Sequence, residues 1–250
     1  MSRSAPARPH LGATVSAVIP CLDEEEAIFG VVTAVRAQGV AEVIVVDGGS
    51  RDRTVERAAA AGAQVVAEPR RGYGRSLQSG IAAARADADI LLFLDGDGSD
   101  RPEFIPGLIA PIVGGRAIFV HGSRTRGERE PGSLSPPQLA AGYLAGVLLR
   151  LFYGVRFTDM SPFRAVRRDV LMRLGMRETS YGWNLEMLMR VAAERLSSVE
   201  IPVGQRRRVG GVSKVSGNPG AGIKAAWTIT VTFVRLLLSL RREQRSRGVA

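Results

Sequence analysis

Five apolar runs of strand length recur through the first half of the chain: ATVSAVIP (13–20), EVIVVD (42–47), QVVAE (64–68), DILLFLD (89–95) and AIFVHG (117–122). They are continuous rather than alternating, the pattern of strands covered on both faces. Between them the period changes to that of helices, over roughly residues 24–38, 52–61, 74–86 and 102–113. Strands alternating with helices of this length predict an α/β fold: a mostly parallel sheet flanked by helices. In such sheets ligands bind beyond the carboxyl ends of the strands. Acids collect at those ends: Asp23 and Glu24 after the first run, Asp47 after the second, Asp95 and Asp97 after the fourth.

The second half has a different texture. Residues 122–138, GSRTRGEREPGSLSPPQ, have the composition of a loop or lid. Two longer apolar stretches follow, 139–157 and 221–242, each interrupted by charge. Both fall short of the ~20 uncharged residues that a membrane-crossing helix needs. Two readings stay open for them: core or homodimer helices, or amphipathic helices lying in a membrane interface with arginines snorkelling to headgroups. The expected organisation is a disordered lead-in over 1–12, one catalytic domain over 13–217, and a C-terminal amphipathic helix with a basic tail over 218–250. The lead-in has no apolar core of signal-peptide length.

Composition changes this picture in two places. Cys21 is the single cysteine, so no intrachain disulfide or cysteine-rich zinc site is expected. The net charge of +10 is unevenly spread: −4 over residues 1–100 and +14 over the remainder. Such a basic part suits phosphates or an anionic membrane surface. A nucleic-acid partner is not expected, because few aromatics are interleaved with the arginines for base stacking. His10 and His121 are too isolated for a ligand set or a triad, and Asp169 reads as a helix N-cap.

The strongest local signal is DGDGS, 95–99. Its spacing matches the nucleophile motif of haloacid-dehalogenase-type phosphatases. That chemistry also needs a downstream lysine and a further acidic pair, and the first lysine here is Lys214. Two carboxylates at a strand end, Asp95 and Asp97, suit a hard divalent cation such as Mg²⁺ or Mn²⁺ completed by diphosphate oxygens. RRGYGRS (70–76), with Gly72 and Gly74, is a glycine-rich turn into a helix whose N–H groups offer a phosphate site. An ordinary turn explains it equally well.

VIPCLDEE (18–25), VIVVDGGSRDRT (43–54), RRGYGRSLQSGI (70–81), FLDGDGSDRPEFI (93–105), GSR (122–124), DMSPFRAVRRDVL (159–171), GWNLEMLMRV (182–191) and IPVGQRRRVGGVSKVSG (201–217) occur in one order. Together they resemble the family-2 glycosyltransferases of the GT-A, Rossmann-like fold, in particular the dolichol-phosphate mannosyltransferase-like branch. The resemblance implies that Pro20, Leu22, Glu24 and Asp47 hold the nucleotide, with Gly72, Gly74 and Gly96 also on the nucleotide-sugar side. It implies that Asp95 and Asp97 form a DXD metal site. Asp159 and Glu186 are the second-half acids expected in catalysis beside Asp97. Arg124, Arg164, Arg206, Arg207, Arg208 and Lys214 are the expected phosphate or acceptor clamp. Pro162 stands where the polyprenyl-phosphate enzymes have T-S-G-F-R, and it stiffens that loop.

The expected reaction is metal-dependent, inverting sugar transfer from a nucleotide-diphosphate sugar to a membrane-associated acceptor, polyprenyl phosphate first. The expected location is the inner face of the cytoplasmic membrane, peripherally bound. A hydroxyl-directed glycosyltransferase is the alternative. A sugar-phosphate nucleotidyltransferase fits less well, since PCLDEEE is not its glycine-rich opening loop.

Overall fold

The computed structural model describes residues 11–210 and 221–247. Residues 1–10 of the lead-in expected over 1–12, Lys214 and the domain edge at 217 lie outside them. Among the described residues seven strands form one sheet: β1 (Val15–Cys21), β2 (Glu42–Asp47), β3 (Gln64–Ala67), β4 (Ile90–Phe93), β5 (Phe119–Ser123), β6 (Arg164–Arg167) and β7 (Ser198–Pro202). Their order is β3-β2-β1-β4-β6-β5-β7. Only β6 runs against the others, pairing antiparallel with β4 and β5. The five expected strands are present, and the α/β architecture is as the apolar pattern implies.

Period-two alternation divides the strands between two cores. Val18, Ile44, Val46, Leu91 and Phe93 face one side, while Ala17, Ile19, Val43, Val45, Ile90 and Leu92 face the other. Helices α1 (Ile28–Ala37), α2 (Thr54–Ala60) and α4 (Ile105–Val113) cover the second side. Helices α3 (Tyr73–Ala83), α5 (Pro136–Tyr153), α6 (Arg168–Leu174), α7 (Trp183–Ala193) and α8 (Ala221–Arg247) cover the first. Burial on both faces is why the runs read as continuously apolar.

Local chemistry sets the ends. Pro102 opens a short 3-10 turn before α4. Ser135 and Gln138 form a capping box at α5, which stops at Gly154 in the left-handed region (φ 73°). Asp169 is not an N-cap: it lies in the first turn of α6, ion-paired with Arg167 at 2.9 Å.

Candidate active site

The sheet collects several chain segments at one rim. Cys21 pairs with Asp47 and Val18 with Phe93, so β1, β2 and β4 end together. Because β6 is reversed and begins opposite Phe93, the preceding segment 159–163 arrives at the same place. His121 also pairs with Arg164, and β7 ends beside Ser123. Residues 203–210 then cross the rim, with the Arg206 and Val209 N–H groups donating to the carbonyls of Ser99 and Asp97.

On the β1–β2 side, two loops are laced together. The Asp47 carboxylate accepts the N–H groups of Gly49 and Ser50, at 3.0 and 3.2 Å. The N–H of Asp23, at φ 53°, donates to Ser50 Oγ, and the N–H of Glu24 donates to Thr54 Oγ1. Gly48 lies against Leu22. Leu22, Glu24 and Asp47 therefore lie together, with Pro20 opposite Val46 in the β1–β2 pair.

The acidic turn follows. The Tyr73 hydroxyl donates to Asp95 Oδ1 at 3.2 Å, and the Asp95 N–H donates to Asp100 Oδ2 at 2.9 Å. Asp97 Oδ1 accepts the Ser99 N–H at 2.9 Å, while Oδ2 faces the Arg208 guanidinium at 3.8 Å. Arg208 also bonds Glu24 at 2.7 Å. Asp100 Oδ1 is buried with no hydrogen-bond partner. Burial, with Asp100 and Asp97 nearby, pushes the Asp95 carboxyl well above the usual range. Burial pushes Asp100 up to about 7, with Asp97 and Asp159 adding to the rise and Arg124 opposing it.

This donor set fits a hard cation. It offers carboxylate oxygens crowded by like charge, one already facing a positive group. Among the described residues no group of three or more His, Cys, Asp or Glu is arranged to hold a metal ion. A Mg²⁺ or Mn²⁺ ion held by Asp95 and Asp97 would therefore need substrate oxygens for its remaining ligands.

Asp100 has a measurable consequence. Its carboxyl is raised in the folded chain relative to the ordinary value of about 3.9, so folding takes up a proton between the two values. The associated stability is full below about pH 4, declines as pH rises, and is gone above about pH 7. The melting temperature in chelator should fall over that window, and Asp100→Asn should flatten the profile. An unchanged slope in the variant rules Asp100 out as its source.

Several expected site residues have other work. Asp159 is buried and gripped by Arg124 through Nε and Nη2, at 2.8 and 2.9 Å, and it also accepts the N–H groups of Arg124 and Met160. The Arg124 guanidinium, opposing burial, holds its carboxyl down at about 2. Glu186 is buried, accepting the N–H groups of Arg177 and Glu178 and pairing with Arg190 at 2.8 Å. Neither acid is placed as a base. Arg124 is correspondingly a partner of Asp159 rather than an open clamp. Arg164 is fully buried, donating to the carbonyls of Ser161, Pro162 and Asn184, with its guanidinium 5.9 Å from the Trp183 ring centre. It ties the loop down and cannot meet an acceptor.

The glycines are also reassigned. A Cβ on Gly72 or Gly74 would strike the carbonyl of Thr179 or Glu178. The N–H groups of Gly74 and Arg75 donate to Ser180 and Thr179, so this helix start is occupied by backbone rather than open to phosphate. Gly96 lets the acidic turn close against the Cys21 thiol. Of the arginine run, Arg208 alone reaches the acids: Arg206 pairs with Glu103 and Arg207 donates to Pro131 O.

Sequence reasoning missed Asp100, Tyr73 and Tyr181. Tyr181 is 56% exposed and stacks on Tyr73 with ring centres 5.4 Å apart. A tyrosine in the turn RRGYG and an acid three residues beyond Asp97 were the available signals. His121 is buried, its Nε2 2.9 Å from Asp159 O, and burial takes it down to about 3. It is a neutral prop for the loop. A separate cleft of about 240 Å³, lined by Arg36, Glu42, Gln64 and Arg85, lies by the N-terminal ends of β2 and β3. It is at the wrong rim for this chemistry.

Comparison with known proteins places the same segments in a family. The glycosyl transferase family 2 model matches residues 16–175. An uncharacterized glycosyltransferase of Mycobacterium tuberculosis is 38% identical over 209 residues, spanning 83% of this chain and 92% of that protein. The low-salt glycan biosynthesis hexosyltransferase Agl6 of Haloferax volcanii is 33% identical over 204 residues, 79% of this chain and 49% of the relative. Glucosyl-3-phosphoglycerate synthase from Mycobacterium tuberculosis, solved with Mn²⁺, UDP-glucose and phosphoglyceric acid, superposes with TM-score 0.70 at 26% identity, over 90% of this chain and 80% of that one. These relatives do not single out the dolichol-phosphate mannosyltransferase-like branch. With that match over most of the chain and that relative covered almost end to end, the chain belongs to glycosyl transferase family 2.

Proposed function

We propose that the chain moves a sugar from a nucleoside-diphosphate sugar, with Mg²⁺ or Mn²⁺, to an acceptor that presents an ionised phosphate, polyprenyl phosphate first, in a single displacement with inversion. The observation that carries the acceptor reading is the state of the second-half acids. Asp159 and Glu186 are both held in buried ion pairs. A hydroxyl acceptor needs a base within reach, whereas a phosphate oxygen is already anionic near neutral pH.

In this reading Pro20, Leu22, Glu24 and Asp47 receive the nucleoside, and Asp97, with Asp95 behind it, holds the cation. The bound ion neutralises charge building on the departing diphosphate. Arg208, hinged on its own loop by an Nε–H bond to Gly210 O, brings a second positive charge to the same oxygens. Tyr73 steadies Asp95, and the exposed Tyr181 ring offers a flat face beside the reacting centre.

A second reading takes a small phosphorylated hydroxy acid as acceptor. It is favoured by the similarity to glucosyl-3-phosphoglycerate synthase. The test supplies UDP- and GDP-sugars with Mn²⁺ and compares polyprenyl phosphate, 3-phosphoglycerate and a dephosphorylated polyprenol. Transfer to the first supports the proposal, and transfer to the second selects the alternative. Transfer to the polyprenol alone removes the phosphate requirement.

A further inference from the structure

Helices α5 and α8 pack side by side, Phe152 and Tyr153 meeting Phe233 with ring centres 5.3 and 6.5 Å apart. Their inward residues are core: Ala145 and Leu149 on α5; Phe233, Leu236, Leu237 and Leu240 on α8. The outward side of a helix on a water-facing surface is normally polar. Here it is not. Trp227, Val231, Val234 and Leu238, spaced i, i+4, i+7 and i+11, fall within an arc of about 60° and are 70, 46, 47 and 51% exposed. On α5, Tyr143, Val147 and Leu151 form a second stripe at four-residue spacing, likewise exposed.

Charge selects the occupant of this double stripe. Arg150, Arg241 and Arg242 flank it and are exposed. Helix α5 contains no acid, and Glu243 of α8 is turned to Arg190 and Arg177. A second copy of the chain would bring the same arginines against these and pay like-charge repulsion. An anionic lipid surface matches both the apolar stripe and its basic border. Among the described residues no helix is long and apolar enough to cross a membrane, so the fit is to a surface.

We infer that the outer face of α5 and α8 is a docking surface for anionic lipid. The face adjoins the catalytic rim: Gly142 of α5 sits beside Asp159, and Thr232 of α8 lies against Gly182, next to Tyr181. Docking there holds the rim beside the headgroup layer. The inference is independent of acceptor identity.

The chain provides its own probe. Of its two tryptophans, Trp183 is fully buried and Trp227 is 70% exposed. Full-length protein titrated with phosphatidylcholine vesicles containing phosphatidylglycerol should show a blue shift of emission and quenching by brominated lipid. Phosphatidylcholine alone should give neither at matched concentration. Each of Arg241→Ala and Arg242→Ala should weaken binding about fivefold. Val234→Glu with Leu238→Glu should abolish it while leaving donor hydrolysis and circular dichroism unchanged. Absence of any shift with anionic vesicles at low salt overturns the inference. So does a doubled mass in light scattering with the shift already present in vesicle-free protein, which assigns the face to a second copy.

Discussion

Asp97→Asn should lower sugar transfer roughly a thousandfold or more, the scale of losing a principal electrostatic contact at developing charge, with little change in melting temperature. The side chain is part-exposed and its single close bond is the Ser99 N–H to Oδ1, which an asparagine oxygen accepts equally well. What the substitution removes is the negative charge at Oδ2, the oxygen that faces a cationic partner. Asp95 is less free to stand in, because its Oδ1 already accepts the Tyr73 hydroxyl. Paired measurements separate the roles: transfer kinetics report the chemistry, and Mn²⁺ titration by electron paramagnetic resonance with nucleotide present reports the cation. Near-normal transfer with the metal still required overturns the assignment of Asp97. Normal metal affinity with lost transfer moves it from ligand to some other catalytic part.

The parts of this molecule legible in sequence are those fixed by local pattern. Strands β1, β2 and β4 are buried on both faces and read as apolar runs, and the acids beyond them land at one rim because parallel strands end together. Strand β6 was not legible: RAVR is four residues long, and its first arginine is buried by long-range packing rather than by period. Yet its reversal is what carries Asp159 to the site. Glycines 72 and 74 matched a phosphate-binding turn in spacing, but the groups they admit, Glu178 and Thr179, lie over 100 residues away. A motif gives a residue type in a place. It does not give the partner that has already claimed it, which is why Asp159, Glu186 and Arg164 read as reactive and are found paired.

Asp159→Asn tests that distinction most sharply. The substitution leaves Arg124 buried beside a neutral amide that cannot accept both guanidinium bonds, and breaking a buried pair this way costs about 3–5 kcal/mol. The wild-type carboxyl also carries its own pH signature. Its folded value of about 2 lies below the ordinary value of about 3.9, so its contribution is full above about pH 4 and is lost as pH falls through 2. That difference is worth about 2–3 kcal/mol, and the acid limb of the stability curve should flatten in the variant. Activity lost through this route follows the folded fraction and the order of segments 124–126 and 158–160, so it should recover when stability is restored by cooling or by saturating donor. A lost general base behaves differently: transfer falls two to four orders of magnitude at full folding, and high pH rescues it with a hydroxyl acceptor. Single-turnover transfer by folded Asp159→Asn, followed across pH, decides between them. A large loss rescued at high pH makes Asp159 the base and the acceptor a hydroxyl. A modest loss with a flat pH profile makes Asp159 the anchor that holds Arg124 and its loop at the rim.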